Sequence, residues 1–434
     1  MAYTKLKLNT IFGNGGWDEK LHQTVLLIPG ETENRVINLY PEIEAQIWNG
    51  FGGAITEAAA YNYSLMSGEQ KRTLTKAYFS PERMNYRLVR IPIDRCDFSL
   101  GQYTGFEHVE KYILPMLRDA EEAHGGPLAV LLSPWSPPVE WKSNDTREQG
   151  GQLLKEYYGD YAEYLCQYIL RYKESGFFVK ALTLQNEPHA VQTWDSCIWT
   201  AAEQKRFLRD HMWPAMERNG LTDIEVYLWD HNKERVYEWM REVIDDKTDH
   251  MVAGAAVHWY SGDHFEALRL CREQFPGKKL IVSESCFEYR VYGSVAPVFA
   301  AQKLAHEIIG DLNNGVSAFC DWNLLLDEHG GPCYAENFCL APFLYDTGVK
   351  KLKPQLLQKY LELFSHSICP GSVCIAHSCC GSSMEATAWK RPDGSLSLIL
   401  LNKAEETAPV CIRVCGLEAE LILLPKSISG CIME

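Results

Sequence analysis

Eight short apolar runs, with longer stretches of helical character between them, set the tightest limit on what this chain can fold into. The runs cover residues 47–54, 86–91, 129–134, 181–185, 225–229, 252–258, 280–283 and 318–322. They are brief, apolar on successive residues and rich in Val, Ile and Leu, as strands buried on both faces should be. Helical periodicity is predicted over 68–79, 153–173, 201–218, 234–245, 264–274 and 297–313. Eight strands interleaved with helices predict an α/β protein whose strands close into a (β/α)8 TIM barrel rather than an open doubly wound sheet. Gly50, Gly52 and Gly53 lack GxGxxG spacing, which further disfavours a nucleotide-binding fold.

After about residue 370 the pattern changes. Segments 387–389, 396–401, 410–414 and 421–424 read as strands, divided by turn signals such as Pro392-Asp393-Gly394. These predict a small antiparallel β-sandwich. It is expected to recruit strands at 25–28 and 36–40, which precede the barrel and have no helices to pack on. The expected division is 1–45 for the N-terminal strands, 46–355 for the barrel and 356–434 for the sandwich.

Charge narrows the partners. Lys and Arg number 42 against 57 for Asp and Glu, a net charge of −15 that repels phosphate backbones and anionic lipid. Nucleic acid is therefore not expected as a partner, nor membrane insertion, because no run approaches the length of a spanning helix. The 15 cysteines lack zinc-like pairing, and the group Cys369, Cys374, Cys379 and Cys380 has no regular ligand spacing. No metal and no cofactor is expected. Abundant thiols and an N-terminus without a secretory apolar segment suggest a reducing, cytoplasmic location.

In a barrel the reacting groups stand at the C-terminal ends of the strands. Here those positions hold Arg90, Asp97, Trp135, Asn186 with Glu187, Asp230 with His231, His258 with Trp259 and Tyr260, Glu284, and Trp322 with Asn323. Glu187 and Glu284 stand out. Paired carboxylates across a barrel mouth suit glycosidic cleavage, one protonating the leaving oxygen and one attacking the anomeric carbon. Trp135, Trp259, Tyr260 and Trp322 are expected to line the pocket against sugar faces. Taken singly, each residue has a plainer role: a solvated glutamate, a charge-neutralising arginine, a tryptophan capping the core, a structural histidine. Their coincidence at nearly every strand end is what points to a site.

The segments GFGGAITEAAAYN (50–62), RIPIDRCDFS (90–99), LSPWSPP (132–138), LQNEP (184–188), HWY (258–260), SES (283–285) and WNLLLDEHGGP (322–332) resemble glycoside hydrolase family 30. They are most similar to its glucosylceramidase-like and β-1,6-glucanase-like branch. RPDGSLSLILLN (391–402) and PKSIS (425–429) resemble that family's side sandwich.

The resemblance implies retaining hydrolysis, with Glu187 as acid/base and Glu284 as nucleophile about 5–5.5 Å apart. Asn186 would hold the sugar 2-hydroxyl, and Tyr260 would orient Glu284. Asp97, Trp135, Trp322 and Asn337 would grip the remaining hydroxyls, with Arg90 beneath the pair and His258 beside the substrate. The acid role calls for a raised Glu187 pKa. Cys333 and Tyr334 depart from the family pattern near the leaving-group side. The expected substrate is a small β-glucoside or oligosaccharide trimmed from its non-reducing end. β-1,6-Glucanase, β-xylosidase and β-fucosidase activity are alternatives within the family. A carbohydrate-binding barrel without catalysis is the alternative outside enzymes.

Overall fold

The computed structural model describes residues 3–12, 19–101 and 105–434. All eight apolar runs become parallel strands of one closed barrel: Gly50–Ala54, Leu88–Ile93, Ala129–Pro134, Val179–Thr183, Glu225–Asn232, Gly254–His258, Lys279–Glu284 and Val316–Asp321. They pair in chain order, and the eighth closes on the first with Ala318 opposite Gly50. Close approach of backbones demands a glycine at one place in particular. A Cβ on Gly254, where the sixth strand begins, would lie 1.9 Å from the carbonyl oxygen of Lys279.

Two predicted helices, Gly68–Phe79 and Pro297–Asn313, form with the expected bounds. The first starts in a capping box, Ser67 with Gln70, which satisfies two otherwise unpaired amides. The stretch predicted as one helix over 201–218 is interrupted by a π turn at Leu208–Met212, just before Pro214. A second π turn, Val109–Ile113, precedes Pro115 in the same way. Proline lacks an N–H and crowds the carbonyl four residues back, so the helix widens there.

Ten strands form the side sheet, in the spatial order Glu19–Leu26, Lys5–Phe12, Ser427–Met433, Leu396–Asn402, Met384–Lys390, Val373–Ser378, Val36–Ile47, Ala408–Val414, Leu417–Leu423, Ile28–Pro29. Its core gathers Leu6, Leu8, Ile37, Leu398, Ile412 and Cys431. The sandwich is not wholly antiparallel as expected, because Val36–Ile47 runs parallel to Ala408–Val414. The two strands are joined by the whole barrel rather than by a hairpin, so no turn imposes opposite directions. The helix Leu356–Ser367 packs against Pro297–Asn313 and against the sheet strands Leu396–Asn402 and Ser427–Met433. No helix among the described residues is long and apolar enough to cross a membrane.

Candidate active site

At the C-terminal mouth of the barrel, four strand ends converge on one buried guanidinium. Arg90, in the second strand, is fully buried and donates through Nη1 to Glu284 Oε2 at 2.5 Å. Its Nη2 donates to Asn186 Oδ1 at 2.8 Å and Asp230 Oδ2 at 2.9 Å, and its Nε donates to Ser133 Oγ at 3.1 Å. Trp135 and Trp322 stack on each other at 5.4 Å with Arg90 over both rings, at 4.8 and 5.3 Å. A cation so enclosed is stable only because carboxylates surround it. Those carboxylates are fixed in turn.

The strand ends reach this point through local irregularities. Trp229 and Asp230 both have positive φ, 72° and 54°, and the register with the sixth strand shifts there. That bulge turns Asp230 into the barrel, where it accepts from Thr183 Oγ1 at 2.6 Å, Ser283 Oγ at 2.5 Å and His258 Nε2 at 3.1 Å. A second register shift between the sixth and seventh strands brings Glu284 level with His258. Glu187 also has a positive φ, 46°, and its amide donates to the carbonyl of Asp230 at 2.9 Å. Non-glycine residues in this conformation carry strain that the surrounding structure must hold.

Glu187 and Glu284 line the same cavity, about 140 Å³ in volume, together with Asp97, Trp135, Asn186, Tyr260, Trp322 and Asn337. Tyr260 donates its phenol to Glu284 Oε1 at 2.9 Å, so both oxygens of that carboxylate have a donor. Glu187 Oε1 lies 3.2 Å from His258 Nδ1 and 3.6 Å from His231 Nδ1. Burial alone would raise Glu187, but the two imidazoles outweigh it and hold the carboxyl below its usual range. The direction is opposite to the rise expected from the sequence, because the two imidazoles favour the charged carboxylate. Burial would lower His258, yet the charges of Glu284, Asp230 and Glu187 push it up to about 9. Burial, with the charge of Glu284 next, pushes Asp97 well above an ordinary aspartate. Asn337 Oδ1 is buried without a hydrogen-bond partner among the described residues.

Every residue expected to touch sugar lines this cavity except Arg90, His258 and Trp259. Strand alternation turns the Trp259 ring outward, where Nε1 donates to the carbonyl of Cys286 at 3.0 Å and the ring packs on Phe287. Cys333 and Tyr334 do not line it either. The Cys333 thiol donates to the carbonyl of Asp97 at 3.1 Å, and the Tyr334 hydroxyl donates to Asp195 Oδ1 at 3.0 Å, so both brace loops. Sequence reasoning assigned no role to His231, Gln192, Trp194, Glu288 or Arg290, which do line the cavity. Of these, His231 left a signal, beside Asp230 at a strand end. Glu187, His231 and His258 each place a ligand atom within 4.8 Å of the others, the one such grouping among the described residues. Asp230 and Glu187 already use both nitrogens of His258.

Comparison with known proteins places this arrangement in a family. The family model for the glycosyl hydrolase family 30 TIM-barrel domain matches residues 48–368, and that for the family 30 beta sandwich domain matches 371–429. The lysosomal acid glucosylceramidase of Mus musculus is 29% identical over 87% of this chain and 79% of its own. An endo-1,6-beta-D-glucanase of Aspergillus fumigatus is 24% identical over 81% and 78%. Among solved structures, SrfJ from Salmonella typhimurium superposes with a TM-score of 0.94 at 30% identity, covering 99% of both chains. The endo-beta1,6-glucanase BT3312 superposes at 0.88, at 24% identity and the same coverage. Barrel and side sandwich thus agree with the two family models, and the chain belongs to glycosyl hydrolase family 30, a hydrolase of glycosidic bonds.

Proposed function

We propose that the protein is a retaining, exo-acting β-glycosidase that removes glucose from small β-glucosides. The observation that carries this reading is the shared cavity onto which both carboxylates open. Glu284, oriented by Arg90 and Tyr260, attacks the anomeric carbon while Glu187 protonates the departing oxygen and the C–O bond breaks. Glu187, now ionised, then takes a proton from water, whose oxygen displaces Glu284 from the anomeric carbon. Asn186, Asp97, Asn337 and the Trp135–Trp322 pair hold the sugar ring. The two tryptophans, 2% exposed each, favour a pocket closed at its floor over an open cleft. The fifteen cysteines, all free thiols, support a reducing compartment.

Hydrolysis of nitrophenyl β-glucoside followed by NMR should release the β-anomer first. Release of the α-anomer would overturn the double displacement. Glu284→Gln should lower turnover by several orders of magnitude, and near wild-type activity in that variant would remove the nucleophile assignment. A panel of gluco, xylo, fuco and galacto nitrophenyl β-glycosides tests the sugar itself.

A further inference from the structure

Beyond the two catalytic carboxylates and Asp97, a fourth acid faces the same cavity and has no part in the mechanism above. Glu288 ends the two-residue strand Phe287–Glu288, which pairs with Cys339–Leu340 so that Glu288 sits opposite Cys339. The short helix that follows, Tyr289–Tyr292, carries Arg290, and both charged residues line the cavity. We infer, on the glycosidase reading just given, that the leaving group is hydroxylated, a sugar or polyol rather than a lipid, and that Glu288 with Arg290 recognises it.

Glu288 is half-buried and forms no hydrogen bond or ion pair with any described residue. Burial first, and then the charge of Glu187, raise its pKa, with only Arg290 opposing them. Glu288 lines the cavity onto which Glu187 opens, where the departing oxygen receives its proton. A carboxylate there accepts from two neighbouring hydroxyls, and a guanidinium donates to ring and hydroxyl oxygens. Gln192, Asn232 and His231 extend the polar wall, and Trp194 adds one aromatic face of the kind sugars stack on. A lipid chain laid on this wall would bury Glu288 and Arg290 against methylenes without replacing their hydration, which is unfavourable. The exposed apolar side chains nearby, Val291, Tyr292 and Phe299, do not line the cavity.

The test compares gentiobiose, octyl β-glucoside and nitrophenyl β-glucoside as substrates of the full chain, Glu288→Gln and Arg290→Gln. The wild type should prefer gentiobiose to octyl β-glucoside in kcat/KM. Glu288→Gln should lower that ratio about 10- to 100-fold, the worth of a hydrogen bond to a charged group. A second readout does not depend on how much protein is folded. With nitrophenyl β-glucoside as donor, added glucose competes with water for the glycosyl-enzyme, and Glu288→Gln should shift that partition toward water. Preference of the wild type for the octyl glucoside, or ratios and partition unchanged in both variants, overturns the inference. Should nitrophenyl β-glucoside be cleaved with retention in that case, the catalytic reading survives and only the leaving-group assignment falls. Should no glycoside be cleaved, both fall.

Discussion

The His258 ring spans two carboxylates, Nδ1 at 3.2 Å from Glu187 and Nε2 at 3.1 Å from Asp230. Ionised carboxylates only accept, so both contacts are hydrogen bonds only when the ring carries two protons. Its pKa of about 9 fits that state. One of those protons is available to Glu187 for the first chemical step, and it leaves the pair as pH rises through about 9. With an alkyl β-glucoside, whose leaving group needs the proton, kcat/KM should hold toward pH 8 and fall near 9. His258→Asn should move that limb down toward the range of an ordinary glutamic acid, about 4.3. An alkaline limb unmoved in the variant would place the proton elsewhere. The stability linkage has the same sign. His258 is raised above its unfolded value, so its contribution is complete below about 6.5 and is lost as pH climbs through about 9. The melting-temperature gap between wild type and His258→Asn should therefore narrow across that interval. Glu187 and Glu284 were legible as acids at strand ends. The inward role of Asp230 was not, because it depends on left-handed φ at both Trp229 and Asp230, and a tryptophan gives no signal of that conformation.

Strands were more legible than helices, for a physical reason. A strand buried on both faces is a plain apolar run, whereas a helix announces itself only through an uneven face. The helix Glu57–Ser64 is buried on nearly every side and shows no stripe. Leu114–His124 was missed because the π turn before Pro115 breaks the 3.6-residue period at its start. What the strands do at their ends matters most for chemistry. The bulge at Asp230 supplies one of the two carboxylates that neutralise Arg90. Asp230→Ala should cost about 3–5 kcal/mol in urea unfolding, because it leaves a buried guanidinium short of a partner. Asp230→Asn, which keeps the shape and an accepting oxygen, should cost less. Equal midpoints for Asp230→Ala and wild type would mean that Glu284 alone balances the charge. At the other end of the sixth strand, Gly254→Ala would press a methyl onto the Lys279 carbonyl. Backbone cannot yield as a side-chain tip can, so a loss of about 1–3 kcal/mol is expected in the same assay.

At the scale of the molecule, barrel and side sheet share an apolar seam. Trp389, in the sheet strand Met384–Lys390, meets Trp48 edge-on at 6.0 Å, and Trp48 meets Phe51 of the first barrel strand at 4.7 Å. Phe51 also reaches Phe364, on the helix wedged between the two units, at 6.3 Å. The sheet's later strands were readable from their alternation and turns. Lys5–Phe12 escaped notice although its burial alternates cleanly, because eight residues ahead of a long chain say little until their partner, Ser427–Met433, is known. That pairing ties the two ends of the chain together within the sheet. A seam so buried should make the two units unfold as one. Trp389 is fully buried, and Trp389→Ala should cost about 3–5 kcal/mol, with activity and far-UV signal lost in a single shared transition at lower urea. If the variant instead showed two transitions with activity following only the later one, the sheet would be an appendage rather than part of the barrel's core. In that case the buried contacts of Trp48 and Phe364 would hold the barrel together without help from the sheet.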